Sequence, residues 1–500
     1  MAAKWRLSVS DKKFFKLVQR AALVNPFTEE RSQINRQLSG LPNDHSETEH
    51  NQRGVYAVRR RVKRLEDAGR DNFNGYVSKD KLLLKRAYIF DFFHGFIDHF
   101  DRHIRKQLNS GDQPVMVSFS DEAFAYLERK GYTAKEKLRA IGFTFQVWRA
   151  FYFIVRNLAG RSASMRKLRE SLWNNVFTYS MEFYTRHLWQ RMEDFSTIIT
   201  GQTGTGKGTA AMAIGRSGYI PFDEKKKCFK ENFARSFVTL NLSQFPETLI
   251  ESELFGHKKG AFTGAVEDHQ GIFQKCSKYG SIFLDEIGEV SHPIQIKLLK
   301  VLEERVFSPV GSHRINRFDG RVIAATNRPI DQLVADGMMR PDFYYRLCSD
   351  VITVPTLQDR IKDDPAELDD LLTIIVTKTL GTDSADIVGQ LRQLIDKQLG
   401  PEYDWPGNVR ELAQCVRRLW LNQSYTGFKN PIGEGVSGPS IDEETGEIDA
   451  QSLVKKYCYS LYRRYGTYGE VARRTKLDRR TVKRYITDYG QQAPEDKRLI

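Results

Sequence analysis

The sequence predicts a multidomain α/β protein, in which a parallel sheet with crossover helices lies between a helical N-terminal region and a small helical C-terminal domain. Three observations lead to this prediction. Five hundred residues are too many for one ordinary hydrophobic core. Apolar strand-like runs alternate with helical stretches between residues 161 and 345. A glycine-rich loop directly follows the first of these runs, which is the position of a phosphate-binding loop in such a sheet.

The composition is that of a soluble protein with an anionic partner. Hydrophobic residues make up 40% of the chain and charged residues 28%. No apolar run approaches the roughly 20 residues of a membrane span, and the N-terminus lacks the apolar stretch of a signal peptide, so we expect a cytoplasmic protein with no membrane partner. The five cysteines are scattered, which argues against a disulfide framework. The net charge of +14 favours nucleic acid as a partner.

Changes in composition divide the chain into six segments. Residues 1–160 are rich in aromatic and basic residues with helical periodicity, and they predict a mostly helical regulatory region of no recognisable family. Residues 161–345 carry the strand–helix alternation, and residues 346–420 predict a small helical lid. Residues 421–447 are rich in Gly, Pro, Ser and acidic residues, which is typical of a linker. A basic helical domain at residues 448–489 and a tail at residues 490–500 complete the chain.

The motif GQTGTGK at residues 201–207 predicts a phosphate-binding loop. Glycines allow backbone N–H groups to turn towards a phosphate, and the helix that follows adds a favourable dipole. We therefore expect ATP to contact Gly201, Gly204, Gly206 and Lys207, with the Lys207 ammonium at the β- and γ-phosphates. Gly208 stands where the general pattern has a hydroxyl ligand for Mg²⁺, and Thr209 is a possible substitute. Taken alone, the motif is also compatible with a tight strand–helix turn.

Two carboxylates follow the apolar strand SIFL at residues 281–284. The strand has a buried character, so it directs Asp285 and Glu286 to the carboxyl edge of the sheet, where the phosphate loop also lies. We predict that Asp285 holds Mg²⁺, directly or through water, and that Glu286 polarises the attacking water. The alternative interpretation is that the two carboxylates only solvate the end of the strand.

The run GAFTGA at residues 260–265 is small, flexible and apolar, with one aromatic side chain at its centre. No nucleotide site needs such a run, and it suits either a moving contact loop or a mobile loop without a partner. Together with the preceding ESELFGHKK it closely resembles the GAFTGA loop of the AAA+ activators of sigma-54 RNA polymerase. The resemblance covers roughly residues 196–420. It implies that the loop residues transmit ATP hydrolysis to sigma-54, with Phe262 and Thr263 in contact among Gly260, Ala261, Phe262, Thr263, Gly264 and Ala265.

The same resemblance implies further roles around the nucleotide. The segment MRPDFYYRL at residues 339–347 is similar to FREDLYYRL of the family, although Met339, Pro341 and Phe343 differ. The resemblance implies that Arg340 and Arg346 act on the nucleotide of a neighbouring subunit, which requires a ring, expected to be a homo-hexamer. Sensor roles are implied for Thr326 and Asn327 in AATNR and for Arg410 in WPGNVREL. Asn241 matches the asparagine that switches the catalytic glutamate.

Residues 465–486 have the pattern of a helix-turn-helix. Leu477, Val482 and Ile486 are expected to face its core, and Asp478 is expected to cap the second helix. The polar positions that we assign to DNA contact are Arg479, Arg480, Thr481, Lys483 and Arg484. A charged surface helix pair is the alternative reading. The segment resembles the Fis-type domain that ends the sigma-54 activators.

These features and the resemblance to the sigma-54 activators together imply a helix-turn-helix activator that docks on upstream DNA and uses ATP and Mg²⁺ to remodel the closed complexes of sigma-54 RNA polymerase. One alternative is a DNA-binding regulator with a vestigial or switch-like nucleotide site. Another is an AAA+ remodeller of a different protein–DNA complex. The aromatic-rich insert at residues 174–184 departs from the family pattern, and it is compatible with a helix at the adenine pocket or at a subunit interface.

Overall fold

The computed structural model describes residues 4–382, 384–428 and 450–492. They fall into two compact units, Met1–Gly427 and Phe428–Ile500. Most of the predicted linker, residues 429–447, and most of the predicted tail, residues 493–500, lie outside the described residues. Within the described ranges, no helix is both long enough and apolar enough to cross a membrane.

Eight α-helices lie within residues 4–177, and five of them begin at a Ser or Thr cap. The hydroxyls of Ser46 and Thr133 each accept a hydrogen bond from the backbone N–H three residues ahead, and the glutamates at those positions return the bond to the cap backbone. The helices are α1 (Val9–Leu23), α2 (Glu29–Ser39), α3 (Glu47–Asp67), α4 (Ser78–Gly95), α5 (Ile97–Asn109), α6 (Ser120–Lys130), α7 (Ala134–Asn157) and α8 (Ala163–Phe177), with a 3-10 turn at Phe73–Gly75.

A five-stranded parallel sheet forms the centre of the first unit. Its strands are ordered β4-β5-β8-β1-β9, so their carboxyl ends meet at one edge. Two short antiparallel hairpins, β2–β3 and β6–β7, stand apart from it. The strands are β1 (Thr197–Thr200), β2 (Phe222–Asp223), β3 (Cys228–Phe229), β4 (Phe237–Asn241), β5 (Ser281–Asp285), β6 (Val306–Phe307), β7 (Asn316–Arg317), β8 (Arg321–Thr326) and β9 (Asp350–Thr353).

The fifth strand of the sheet corrects the boundary predicted between residues 345 and 346. Strand β9 pairs with β1 in parallel, from Thr197 opposite Asp350 to Thr200 opposite Thr353. The sheet therefore extends to residue 353, and the helical lid begins after it. This strand is short, and its residues alternate between exposed and covered positions because it lies at the edge of the sheet. A short edge strand of this kind leaves little apolar signal in the sequence.

Crossover helices and the lid complete the first unit. The crossover and lid helices are α9 (Met181–Phe183), α10 (Lys207–Gly215), α11 (Glu247–Phe255), α12 (Ile272–Lys275), α13 (His292–Glu304), α14 (Ile330–Ala335), α15 (Pro341–Leu347), α16 (Leu357–Asp363), α17 (Glu367–Leu380), α18 (Ala385–Leu399) and α19 (Asn408–Asn422). Single 3-10 turns occur at Met192–Asp194, Leu242–Gln244 and Ile287–Glu289. The lid has its own hydrophobic core around Leu372, Trp405 and Leu412.

The N-terminal helices and the sheet share one hydrophobic core. The buried residues of this single core range from Leu7 in the N-terminal region to Val354 after the last strand. Phe145 on α7 stacks on Phe229 at 4.2 Å, and Phe153 on the same helix packs edge-on against Phe233. The region predicted at residues 1–160 is therefore not a separate body in the structure, because its aromatic side chains are buried against the α/β part.

The aromatic insert also packs on this core. After α8 the chain forms the single turn α9 and then a π-helical turn, Tyr184–Leu188. Tyr184 is buried, and its ring contacts Phe143 and Phe177. The insert thus lies against α7, at the end of the sheet that is remote from the phosphate loop.

The described residues of the second unit, 428 and 450–492, contain three helices. They are α20 (Ala450–Tyr465), α21 (Tyr468–Thr475) and α22 (Arg479–Gln492). Val471, Val482 and Ile486 are buried in its small core together with Cys458 and Tyr459.

Candidate functional site

The phosphate loop connects strand β1 to helix α10 at the carboxyl edge of the sheet. The apolar strand is buried and ends at Thr200. Gly204 and Gly206 have φ values of 82° and 108°, which only glycine adopts without strain. Their left-handed backbone lets the loop curl over the first turn of α10. The loop therefore has the backbone form that a phosphate-binding loop needs.

Lys207 occupies the first position of α10 and is 8% exposed. Its ammonium donates to the carbonyl of Gly201 at 2.9 Å and to that of Gln202 at 3.3 Å. Burial lowers the pKa of Lys207, while the nearby carboxylates of Glu286 and Asp285 act in the opposite direction. The ammonium thus lies folded back on its own loop, close to both predicted acids.

Asp285 and Glu286 stand at the end of strand β5, as their position in the sequence predicts. Glu286 has φ 57°, a left-handed conformation that is uncommon outside glycine, and its N–H donates to Asp285 Oδ1 at 3.1 Å. Burial raises the pKa of Glu286, and the neighbouring Lys207 opposes that rise. The amide of Asn241 donates to Asp285 Oδ2 at 3.5 Å, and in this arrangement its hydrogen bond goes to the aspartate rather than to Glu286.

Asn327 links the acidic pair to the phosphate loop. Its backbone N–H donates to Glu286 Oε2 at 3.4 Å, and its side-chain amide donates to Thr203 Oγ1 at 3.3 Å. Thr326, the other predicted sensor, is completely buried, and its hydroxyl accepts the N–H of Arg328 at 3.1 Å. Of the two residues, Asn327 therefore faces the site, and Thr326 supports the turn behind it.

The lid contacts the phosphate loop through Asn408, a residue that was not predicted from the sequence. Its side-chain amide donates to the Thr203 carbonyl at 3.1 Å and to Gln202 Oε1 at 3.2 Å. Its Oδ1 accepts the N–H of Leu357 at 2.7 Å. Asn408 is fully buried and has φ 54°. An asparagine that opens a helix in the left-handed region is a signal that the WPGN motif already contained.

Close backbone packing brings the lid against the loop. A Cβ atom on Gly204 would lie 2.2 Å from the carbonyl oxygen of Gly407 and 3.1 Å from the Cβ of Arg410. Two features therefore require glycine at position 204, its positive φ angle and the close contact with the Gly407 carbonyl. The side chain of Arg410 is exposed, and its charge contributes to lowering the pKa of Lys207, which places it on the nucleotide side of the lid.

The two predicted trans-acting arginines make contacts within their own subunit. Arg340 forms an ion pair with Asp342 at 2.7 Å. The guanidinium of Arg346 donates to the carbonyl of Leu302, near the end of α13, at 2.7 and 3.0 Å. Among the described residues, neither arginine has a hydrogen bond or ion pair with the phosphate loop.

Two side chains with oxygen ligands suited to Mg²⁺, Asp285 and Thr209, are available near the first turn of α10. Carboxylate and hydroxyl oxygens are the ligands that this hard cation prefers. Asp285 presents a carboxylate at the strand end, and Thr209 is half-buried on the helix. At Gly208 a side chain would meet only ordinary contact, with Phe283 at 3.8 Å, so the missing hydroxyl is not forced by crowding. The residues present therefore fit a magnesium–phosphate group.

The loop at residues 260–265 is held at its base and free at its tip. His257 pairs with His269 and with Val310 through backbone bridges. The ring of Phe262 packs edge-on against His257 at 4.9 Å and is half-buried. Thr263 and the flanking glycines are exposed. The Phe262 side chain thus packs on His257 at the base of the loop, whereas Thr263 faces solvent.

A second hairpin supports this loop. Gly311, beyond the strand β6, has φ 73°, and a Cβ atom there would lie 2.7 Å from the Cβ of Ala261. The N–H of Lys258 donates to the carbonyl of Val310 at 3.0 Å. A displacement of either segment would therefore displace the other.

In the second unit, the predicted DNA-contact residues lie on one helix. Arg479, Arg480, Lys483 and Arg484 on α22 are exposed, whereas Thr481 is half-buried. Asp478 Oδ1 accepts the N–H of Arg480 at 2.8 Å, which caps this helix. The surface of α22 therefore carries a row of cations opposite its apolar face.

Comparison with known proteins identifies the central part of the chain. Residues 180–353 match the family model of the Sigma-54 interaction domain. The hydrogenase transcriptional regulatory protein HoxA of Bradyrhizobium diazoefficiens is 39% identical over 226 residues, which are 45% of this chain and 43% of that protein. The transcriptional regulatory protein GlrR of Escherichia coli is 38% identical over 268 residues, 52% of this chain and 56% of that protein. The chain thus spans about half the length of the curated relatives it matches.

Among solved structures, NtrX from Brucella abortus in complex with ADP is similar, with a TM-score of 0.40 and 21% identity, covering 75% of this chain and 80% of that one. The assignment rests instead on the family match and on the curated relatives. The central part of the chain, residues 180–353, thus matches the Sigma-54 interaction domain, and the relatives that share this part are named as transcriptional regulatory proteins.

Proposed function

We propose that the protein is an ATP-hydrolysing activator that binds upstream DNA and remodels closed complexes of sigma-54 RNA polymerase. The observation that carries this proposal is the combination of two features in one domain. The phosphate loop, Asp285 and Glu286 meet at one edge of the sheet, and an intact GAFTGA loop stands on the same domain with Thr263 exposed.

Nucleotide binding rests on the phosphate loop and the lid. Gly201, Gly204 and Gly206 present backbone N–H groups to the phosphates, and Lys207 leaves its loop carbonyls for the β- and γ-phosphates. Gly208 and Thr209 continue the first turn of the helix, where Thr209 offers a hydroxyl. Asn408 anchors the lid on the loop, so that the exposed Arg410 can approach the nucleotide. The expected ligand is ATP with Mg²⁺.

Hydrolysis rests on the acidic pair and on a neighbouring subunit. Asp285 would hold Mg²⁺, which when bound neutralises developing charge on the phosphates. Glu286 orients and polarises the attacking water, and its raised pKa makes it a better proton acceptor than an ordinary glutamate. Arg340 and Arg346 would exchange their present partners for the γ-phosphate of the adjacent subunit in a ring, for which a hexamer is the expected form.

Loop movement couples the site to sigma-54. Asn327 connects Glu286 with Thr203, and Thr326 supports the turn that carries Asn327. A change at the γ-phosphate would therefore shift the end of β8. Asn241, which donates to Asp285, would transmit the state of the γ-phosphate to the end of β4. From there the chain continues to α11 and the loop. Release of Phe262 from His257 would present Phe262 and Thr263 to sigma-54, with Gly260, Ala261, Gly264 and Ala265 as the flexible frame.

DNA binding rests on the second unit. The exposed cations of α22, Arg479, Arg480, Lys483 and Arg484, suit a helix that enters the major groove, with Thr481 at its side. Phosphate and base contacts both draw on such residues.

The decisive experiment is capture of purified sigma-54 by the full-length protein in the presence of ADP and aluminium fluoride, a mimic of the transferring phosphate. We expect capture that needs the mimic, that is lost in Thr263→Ala and that is retained in the control Val266→Ala. Val266 is 71% exposed and adjoins the loop.

Two other outcomes separate the alternatives. Absence of capture with normal ATP turnover would move the function to another protein–DNA complex. Absence of both capture and turnover would favour a DNA-binding regulator with a vestigial nucleotide site.

A further inference from the structure

Helix α3 in the N-terminal region carries a concentration of positive charge. Residues 1–160 contain 29 Lys and Arg against 18 Asp and Glu, so they contribute +11 of the net +14 of the chain. Between His50 and Leu65, on α3, there are six cations and no acidic residue. The cations that we assign to DNA contact lie on α22, in the other compact unit. The charge of α3 therefore has no role in the function proposed above.

The helical period places part of this charge on one solvent-facing side of α3. The opposite side of the helix is buried in the core of the first unit. Positions 53, 56, 60 and 63 recur every three or four residues, so they share the outward side, and position 64 borders it. The residues at these positions are all exposed, and we call them the basic face: Arg53, Tyr56, Arg60, Lys63 and Arg64.

Ion pairs within the chain neutralise only part of the basic face. Arg64 pairs with Asp11 at 2.5 Å, and Lys63 pairs with the two acidic residues that follow it on the helix. Arg53 and Arg60 form no ion pair within residues 4–382, 384–428 and 450–492. Like charges one turn apart, such as Arg60 and Arg64, destabilise a helix. The stability of α3 therefore does not explain this grouping of cations.

The side chains of the basic face suit phosphate groups. A guanidinium donates two parallel hydrogen bonds to phosphate oxygens, and a tyrosine hydroxyl also donates to them. The Arg53 guanidinium lies 5.2 Å from the centre of the Tyr56 ring, so the two donors are neighbours. Arg53 and Arg64 are roughly 16 Å apart along the helix axis, a length that spans several phosphates of one DNA strand.

Two other anionic partners fit the basic face less well. A membrane surface requires apolar side chains beside the cations, whereas Val58, Val62 and Leu65 of α3 are buried in the core. A single-stranded nucleic acid is held by aromatic side chains on which successive bases stack. Helix α3 contains one Phe, Tyr or Trp residue, Tyr56, on the convex surface of a helix. Duplex DNA, which needs only phosphate contacts, is the better match.

We propose that the basic face is a second DNA-contact surface, which binds the phosphate backbone of duplex DNA without reading its sequence. Binding of this kind is electrostatic, and its affinity falls steeply as the salt concentration rises. The proposal adds a contact to the function proposed above, and it does not depend on the DNA binding that we assign to α22.

The test uses the full-length protein in which α22 no longer contributes its charge, because alanine replaces Arg479, Arg480, Lys483 and Arg484. Fluorescence anisotropy of a labelled duplex of about 30 base pairs gives the association constant between about 50 and 200 mM KCl. We expect this protein to retain DNA binding, with a logarithm of the constant that falls linearly with the logarithm of the salt concentration.

Addition of Arg53→Ala and Arg60→Ala to that protein should remove two phosphate contacts. We expect the association constant at the lowest salt to fall at least tenfold, and the salt slope to decrease by about 2, since each contact contributes about 0.9. The matched control is Lys225→Ala with Lys226→Ala in the turn between β2 and β3, where both lysines are exposed. This control removes the same charge from the chain and should leave the slope unchanged.

Three results would overturn the proposal. The first is no binding of the duplex at the lowest salt once α22 is substituted. The second is an equal decrease of the slope in the lysine control, which would make net charge the cause. The third is tighter binding of a single strand of the same length than of the duplex. If α22 itself does not bind DNA, its substitution leaves the association constant unchanged while the arginine pair still lowers it, so the two failures are distinguishable.

Discussion

The guanidinium of Arg149, on helix α7, donates to the carbonyl of Gly218 at 2.6 Å, just beyond the end of the phosphate-loop helix α10. A second hydrogen bond reaches the carbonyl of Arg216 at 3.2 Å. Arg149 is completely buried, with Phe145 and Phe233 on its faces. Arg216 is the C-cap residue of α10 and Gly218 lies two residues beyond it, so the guanidinium is placed at the negative end of the helix dipole. The N-terminal region thus caps the helix that begins at Lys207.

Replacement of this cap is expected to destabilise the first unit. Arg149→Met keeps much of the volume but leaves two carbonyls without their partner, which should lower the free energy of unfolding by roughly 2–4 kcal/mol. Urea denaturation followed by tryptophan fluorescence measures the loss. Arg156→Met on the same helix is the control, since Arg156 is exposed and makes only surface contacts, an ion pair with Asp101 at 3.5 Å and a cation–π contact with Tyr152. Equal losses in both variants would contradict the capping role.

Deletion of residues 1–160 is expected to unfold the α/β part rather than to release a free ATPase. The deletion removes Phe145 and Phe153, against which Phe229 and Phe233 are buried. We expect a protein that binds the dye ANS and melts without a cooperative transition, because a large apolar surface becomes exposed. Calorimetry and dye fluorescence provide the measurement. A truncated protein with a sharp transition and normal ATP turnover would show that the two parts are independent.

Local motifs predicted much of the site, and long-range contacts account for what was missed. The phosphate loop, Asp285 and Glu286 follow buried strands, so a parallel sheet brings them to one edge. The shared core of the N-terminal region could not be predicted, because α7 meets the segment after α10 some 70 residues further along the chain. The contact of Asn408 with Thr203 joins residues 205 positions apart. Such pairs leave no periodic signal in one sequence.

Loss of the Asn408 contacts is expected to weaken nucleotide binding. Asn408→Ala removes the bonds to Thr203 and Gln202 and leaves the Leu357 N–H unpaired, so the lid should dock less often on the loop. We expect ADP affinity to fall about tenfold, which corresponds to about 1.4 kcal/mol. Titration with a fluorescent ADP analogue measures it. Asn422→Ala, at the far end of the same helix, should bind ADP normally, and unchanged affinity in Asn408→Ala would exclude the anchoring role.

Mixed rings should reveal whether Arg346 acts on a neighbour. Glu286→Gln and Arg346→Ala are each expected to lose ATP turnover at least 100-fold, because each removes one half of every site. A mixture should recover turnover, since an Arg346→Ala subunit keeps Glu286 and can receive Arg346 from its Glu286→Gln neighbour. Steady-state phosphate release against mixing ratio gives the answer. Arg317→Ala, which loses only a surface pair with Asp319, is the control. Turnover that stays at background at every mixing ratio would place both residues in one subunit's site.

His103 is expected to make the first unit acid-sensitive. It lies on α5, 6% exposed, with its ring against Phe145 and Phe229. Burial lowers its pKa to about 4 from an ordinary value of 6.5, and the charges of Lys106 and Arg149 act in the same direction. Between these two values only the unfolded chain takes up the proton, so stability is lost as the pH falls from 6.5 towards 4.

Between pH 7 and pH 5 this proton should cost about 2 kcal/mol of unfolding free energy in the wild-type protein, and the cost should be absent in His103→Leu. Urea denaturation of both proteins at the two pH values isolates the effect, because every other group titrates in both. His99→Leu serves as a second comparison on the same helix, at a half-buried position. If the wild-type and His103→Leu proteins lost the same free energy on acidification, the buried imidazole would not be the group that takes up the proton on unfolding.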